Sequence, residues 1–136
     1  MAYFKDLSRY EYSKHPDWCA GDVRNVGWLD AKALFPQGNV DAELTAKLLI
    51  LCRRPVNRYR GWHQCQFCNE YPVRIADPEH EICLGDGEIR VPRVDGAAVY
   101  AAPNLIYHYV VKHRYRPPDE FLDALRGDDS SHGPSR

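Results

Sequence analysis

A chain of 136 residues, 44% hydrophobic and 12% aromatic, is long enough to bury one core and too apolar to be a disordered segment. Its formal net charge of −1 excludes a protein drawn to nucleic acid or membrane by overall charge alone. The balance is uneven, since residues 119–136 carry five acids against two arginines, which leaves the preceding body at about +2.

Met1 to Asp6 holds charges and no apolar stretch of signal-peptide type. The longest apolar run, Leu48 to Cys52, is too short to span a membrane. Five cysteines without an export signal predict a cytoplasmic protein with reduced thiols. Residues 3–12, with four aromatics among charges, predict a turn and a short strand. His15-Pro16-Asp17 is loop chemistry, and residues 25–29 predict an extended segment that buries Trp28. Residues 35–39 (Phe-Pro-Gln-Gly-Asn) predict a turn.

Asp41 as N-cap and Glu43 in the first turn begin a helix over 42–54. Leu44, Leu48 and Leu51 share its apolar face, Ile50 widens it, Arg53 and Arg54 suit its C-terminal dipole, and Pro55 closes it. A short strand is expected at 71–75 and a turn at 77–80. Residues 88–91 and 97–100 alternate as two strands, and Asp95-Gly96 between them is a hairpin signal. Pro103 suits the first position of a helix over 104–113, which Pro117 and Pro118 stop. A last helix over 119–125 turns Phe121, Leu122 and Leu125 inward. The elements make an α+β fold, a small antiparallel sheet with three helices, as one domain over 1–126 followed by a disordered polar tail at 127–136.

The chemistry concentrates at Arg60-Gly61-Trp62-His63-Gln64-Cys65-Gln66-Phe67-Cys68-Asn69. Its Cys-x-x-Cys joins a downstream pair, His108 and His113, as C-x2-C…H-x4-H, four ligands of the kind tetrahedral zinc takes. Asn69 tolerates the left-handed backbone that finishes such a knuckle. Five residues of helix rotate His113 well away from His108, which predicts a loosened last turn there. Cys65, Cys68, His108 and His113 are therefore the expected zinc ligands. His80-x-x-Cys83 offers a rival second half and His63 a further competitor, while buried free thiols with no metal remain the plain alternative. Cys19, Cys52 and Cys83 are otherwise ordinary residues. A redox role for the Cys-x-x-Cys lacks a thioredoxin-like βαβ context.

The order knuckle, hairpin, helix resembles a treble-clef zinc finger. A longer pattern resembles a family of small, uncharacterised bacterial proteins, largely actinobacterial. It runs through Val26-Gly27-Trp28-Leu29-Asp30, Arg60-Gly61-x-His63-x-Cys65-x-Phe67-Cys68, Gly87-Glu88-Ile89-Arg90-Val91, and Tyr100-x-Ala102-Pro103-x-Leu105-Ile106-x-His108-Tyr109 on to His113, Tyr115, Pro117-Pro118 and Glu120-Phe121. The resemblance implies a one-domain bacterial protein and favours His108 and His113 over His80 and Cys83. It carries no function.

Two thiolates with two imidazoles close a zinc shell, which points to a structural ion. A zinc hydrolase would need an open position and a base, for which His63, Glu88 and Glu120 are the candidates. No H-E-x-x-H, H-x-E…C-x-x-C or G-x-S-x-G motif occurs. Nucleic acid would meet Arg53, Arg54, Arg58, Arg60, Lys112, Arg114 and Arg116, with Tyr59 and Trp62 for stacking. Nine tyrosines suit a protein interface equally. The sequence therefore predicts a binding or interaction module with a structural zinc and a protein partner. A nucleic-acid-binding zinc finger is the second reading and a hydrolase the third.

Overall fold

The computed structural model describes residues 3–11, 22–68, 70–76 and 81–127. Along them run β1 (Asp22–Asn25), α1 (Ala42–Cys52), β2 (Val73–Ile75), β3 (Ile82–Leu84), β4 (Glu88–Pro92), β5 (Ala98–Pro103), α2 (Ile106–His113) and α3 (Asp119–Gly127). The fold is α+β with three helices. Its sheet is mixed rather than purely antiparallel: β4 pairs antiparallel with β5, as the Asp95-Gly96 hairpin demands, but β1 joins β5 in parallel, Asp22 opposite Ala98. β2 and β3 form a separate antiparallel ribbon.

Strand alternation divides the core in two. Tyr100 and Ala102 of β5, with Ile89 and Val91 of β4, face the helices. There they meet Leu44, Leu48 and Cys52 of α1, Ile106 and Tyr109 of α2, and Phe121, Leu122 and Leu125 of α3. Ala101 turns the other way and packs with Val23, Trp28 and Tyr10. Trp28 is fully buried, as expected, and its indole N–H donates to the Ala101 carbonyl at 2.9 Å. Behind β4 on that side, the buried Glu88 carboxylate accepts from Tyr10 (2.8 Å), Asn57 (3.2 Å) and Tyr59 (3.1 Å) and pairs with Arg90 at 2.8 Å. A buried charge is tolerated when it is paired and hydrogen-bonded in this way.

Several expectations are corrected. Residues 35–39 run extended instead of turning. Gln37 bridges Tyr115, the Pro36 carbonyl accepts from the Arg116 N–H at 3.0 Å, and the Gly38 N–H donates to the Arg114 carbonyl at 3.0 Å. The turn lies earlier, where the Asp30 carboxylate takes the Lys32 N–H at 2.7 Å. α1 stops at Cys52, with Arg53 still in helical geometry as its cap, because Pro55 disfavours that geometry at Arg54 just ahead of it. Asp41 caps with its backbone carbonyl and not its side chain. The buried stripe of α1 is Leu44, Leu48 and Cys52, four apart, which leaves Ile50 55% exposed. Pro103 ends β5 and does not open α2. The expected N-terminal strand is a single bridge between Arg9 and Arg24, and β3 was not anticipated. Gly127 still belongs to α3, whereas His15 to Asp17, Asn69, the turn at 77–80 and residues 128–136 lie outside the described residues. Among the described residues no helix is long and apolar enough to cross a membrane.

Candidate metal centre

The knuckle begins with a pinned lead-in. The His63 N–H donates to the Gly85 carbonyl at 2.9 Å, and a Cβ on Gly85 would lie 2.8 Å from the His63 carbonyl oxygen, so the approach needs glycine there (φ 105°). Residues 66–67 then turn tightly, and the Phe67 N–H points back at the Cys65 sulfur, 3.4 Å away. The Gln66 side chain holds the Ala31 N–H at 3.0 Å. Phe67 packs its ring at 5.2 Å from Phe35, 5.8 Å from Tyr109 and 5.4 Å from His113. The knuckle is thus seated on α2 by an aromatic wall.

α2 is fixed at both ends. Before it, the fully buried Asn104 amide oxygen accepts from the N–H groups of Gly85 (2.8 Å) and Gly87 (3.3 Å). Its nitrogen donates to the Cys52 carbonyl (3.2 Å) and the Asp86 carboxylate (2.9 Å). After it, Arg114 turns left-handed (φ 60°), and the Tyr115 N–H returns to the Tyr109 carbonyl at 3.0 Å. The buried Tyr115 hydroxyl donates to Asp6 at 2.9 Å, whose other oxygen takes the Gly27 N–H at 3.0 Å. Gly27 (φ 81°) must lack a side chain, because a Cβ would sit 2.8 Å from Ile106 at the start of α2.

Between these anchors Cys65, Cys68, His108 and His113 converge. Their four donor atoms all lie within 4.8 Å of one another. Cys65 Sγ is 3.4 Å from His113 Nε2, Cys68 Sγ is 3.4 Å from His108 Nε2, and the two Nε2 atoms are 3.3 Å apart. A tetrahedral ion with nitrogens at about 2.05 Å and sulfurs at about 2.3 Å sets its nitrogens about 3.3 Å apart and each nitrogen about 3.6 Å from a sulfur. Those three distances lie within about 0.2 Å of such edges, and the four donors are close enough together to hold a metal ion. His113 is the last residue of a regular α2, so the loosened turn expected there is not found. The two imidazoles reach across the roughly 140° that five helical residues turn.

The electrostatics suit neutral imidazoles. Burial lowers the pKa of both His108 and His113 and Lys112 adds to the fall, while the Glu70 charge opposes it without reversing it. Burial likewise pushes the Cys65 thiol up to about 11, and the Cys68 sulfur beside it adds to the rise. A bound metal cation would offset this cost by replacing the thiol protons.

The other candidates lie elsewhere. His63 stacks edge-on against Tyr59 at 5.0 Å, and Cys83 stands on β3 opposite Arg74; neither belongs to the group. His80 lies outside the described residues. Glu88 is taken up by its four partners, and Glu120 accepts from Tyr100 at 2.6 Å. Of the cationic candidates, Arg58 pairs with Asp86 and Arg116 with Asp119, and Tyr59 is tied to Glu88. Asn104, Asp6 and Phe67 position the site; Asn104 and Asp6 were not singled out from the sequence, and Phe67 was named there only as part of the knuckle pattern. Their only local signals are a polar residue between a strand and a helix, an acid in an aromatic stretch, and the aromatic inside the knuckle.

A family model described as Domain of unknown function (DUF7919) matches residues 2–126. No curated protein and no solved structure matches the chain.

Proposed function

The chain belongs to the DUF7919 family, and from its site alone we propose a small zinc protein whose ion pins the knuckle to α2 and so holds one domain over residues 1–126 in shape for binding another protein. The observation that carries this reading is the donor spacing of 3.3 and 3.4 Å among Cys65, Cys68, His108 and His113. Two sulfurs and two imidazoles at tetrahedral edges suit zinc far better than magnesium or calcium, which take oxygen ligands. Four protein donors also complete the shell, so the ion's contribution is folding energy rather than an activated water. A bacterial cytoplasm, where thiols stay reduced, is the setting that this reading and the resemblance imply.

The test compares His113→Ala with His80→Ala. Loss of His113 frees the metal and the end of α2 together. Its cost exceeds the ~1 kcal/mol of an average substitution, which lowers the melting temperature by several degrees. His80→Ala keeps its zinc and stays within about 0.5 kcal/mol of the unaltered protein. The reverse result, zinc lost from His80→Ala and kept by His113→Ala, moves the site to Cys65, Cys68, His80 and Cys83.

A further inference from the structure

Residues 53–62 hold four arginines and no acid, in a chain whose net charge is −1, and they take no part in the metal cluster. Two clefts open beside them. One, of about 280 Å³, is lined by Arg53, Arg58, Trp62 and Ile82 among others. The second, of about 300 Å³, is lined by Ile50, Arg53, Arg54 and Ile82. Arg53 and Ile82 line both, so the two clefts adjoin and together make a grooved face. Trp62 is 44% exposed and Ile50 55%, so an indole face and an aliphatic patch lie open between guanidinium groups. The acids at the groove are already neutralised: Asp86 pairs with Arg58 at 2.9 Å, and Glu81 with Arg74 at 2.8 Å. The guanidinium groups of Arg54 and Arg60 have no acid partner among the described residues.

We infer that this groove binds single-stranded nucleic acid, with a base stacked on Trp62 and phosphates against Arg54 and its neighbours. Sequence-tolerant single-strand sites combine these same two parts, a cationic track and an aromatic face. A duplex keeps its bases stacked on each other and offers the indole nothing. An acidic peptide would satisfy the arginines and leave the half-exposed indole without a planar partner. The phosphodiester and base chemistry is common to DNA and RNA.

The test uses the full metal-loaded chain and fluorescence anisotropy with labelled twenty-nucleotide oligothymidylate and oligouridylate. Binding is expected to one or both at about 50 mM salt, and to weaken roughly twentyfold at about 200 mM if three phosphates are neutralised. Trp62→Ala weakens it by about tenfold, as loss of one stacked base requires. Arg54→Glu weakens it similarly and makes the salt dependence shallower. Both side chains are exposed, so melting temperature and zinc content should hold; if Trp62→Ala lowers either, Arg54→Glu carries the test. Absence of binding to both oligonucleotides at low salt overturns the inference. So does binding that ignores these substitutions, or displacement by polyglutamate as effective as by unlabelled oligonucleotide, which would mark an acidic-peptide site. None of the substituted residues is a metal ligand, so a silent groove leaves the zinc reading standing.

Discussion

Asn104 sets the place where α2 begins, because its amide joins the 85–87 loop to the end of α1 through four hydrogen bonds. Truncating it to alanine strands two buried N–H groups and a carbonyl, and removes one of the two partners of the Asp86 carboxylate, whose other oxygen keeps Arg58. Each unsatisfied buried group costs about 1–3 kcal/mol, so Asn104→Ala should lose roughly 2–4 kcal/mol in urea unfolding, with partial relaxation allowed for. A loss below about 1 kcal/mol would show that the loop and α1 hold without it. The four candidate ligands were legible in sequence because cysteine and histidine spacing is a short code. Asn104 was not, because its partners at 52, 85, 86 and 87 share no period with it. Nor was Glu88, whose partners are brought in from residues 10, 57 and 59 and only from Arg90 locally.

At the scale of elements, α2 is only eight residues long. Helices shorter than about 12–15 residues are marginal alone, so this one depends on what holds its ends. Asn104 holds the start, the Tyr115–Asp6 contact holds the end, and His108 and His113 reach to the knuckle between them. Chelation should therefore speed amide exchange at residues 65–68 and 109–113 first, while β4 and β5 stay protected. Uniform acceleration, or none, in exchange mass spectrometry would contradict a local pin. The helices were legible from their apolar spacing and from Pro55, Pro117 and Pro118. β3 was not, since three residues contain too little alternation to read. The parallel pairing of β1 with β5 joins residues far apart in sequence, and residues 35–39 look like a turn until Arg114–Arg116 claims their backbone.

On the scale of the molecule, the sheet separates a helical core from the face covered by the N-terminal segment, and phenols brace both. Burial first, and then the Glu88 carboxylate, push the Tyr10 pKa up to about 12; burial and Glu120 do the same for Tyr100. Unfolded phenols lose their protons near pH 10. Between about pH 10 and 12 the unfolded state therefore binds fewer protons than the folded one, and stability falls as pH rises. This contribution is intact below pH 10 and is lost on passing 12. The melting temperature should drop steeply across that window, and less steeply in Tyr10→Phe and Tyr100→Phe, which have no phenolic proton to lose. A melting temperature flat to pH 11.5, or an alkaline drop that both substitutions leave unchanged, would contradict the bracing role.

The zinc pin is the claim on which the rest depends, and metal analysis of protein purified without chelator tests it most directly. About one zinc per chain is expected, lost on chelation together with part of the thermal stability and reduced in both Cys65→Ser and His113→Ala. Protein that carries no zinc, and melts at the same temperature whether or not zinc is added, would contradict it.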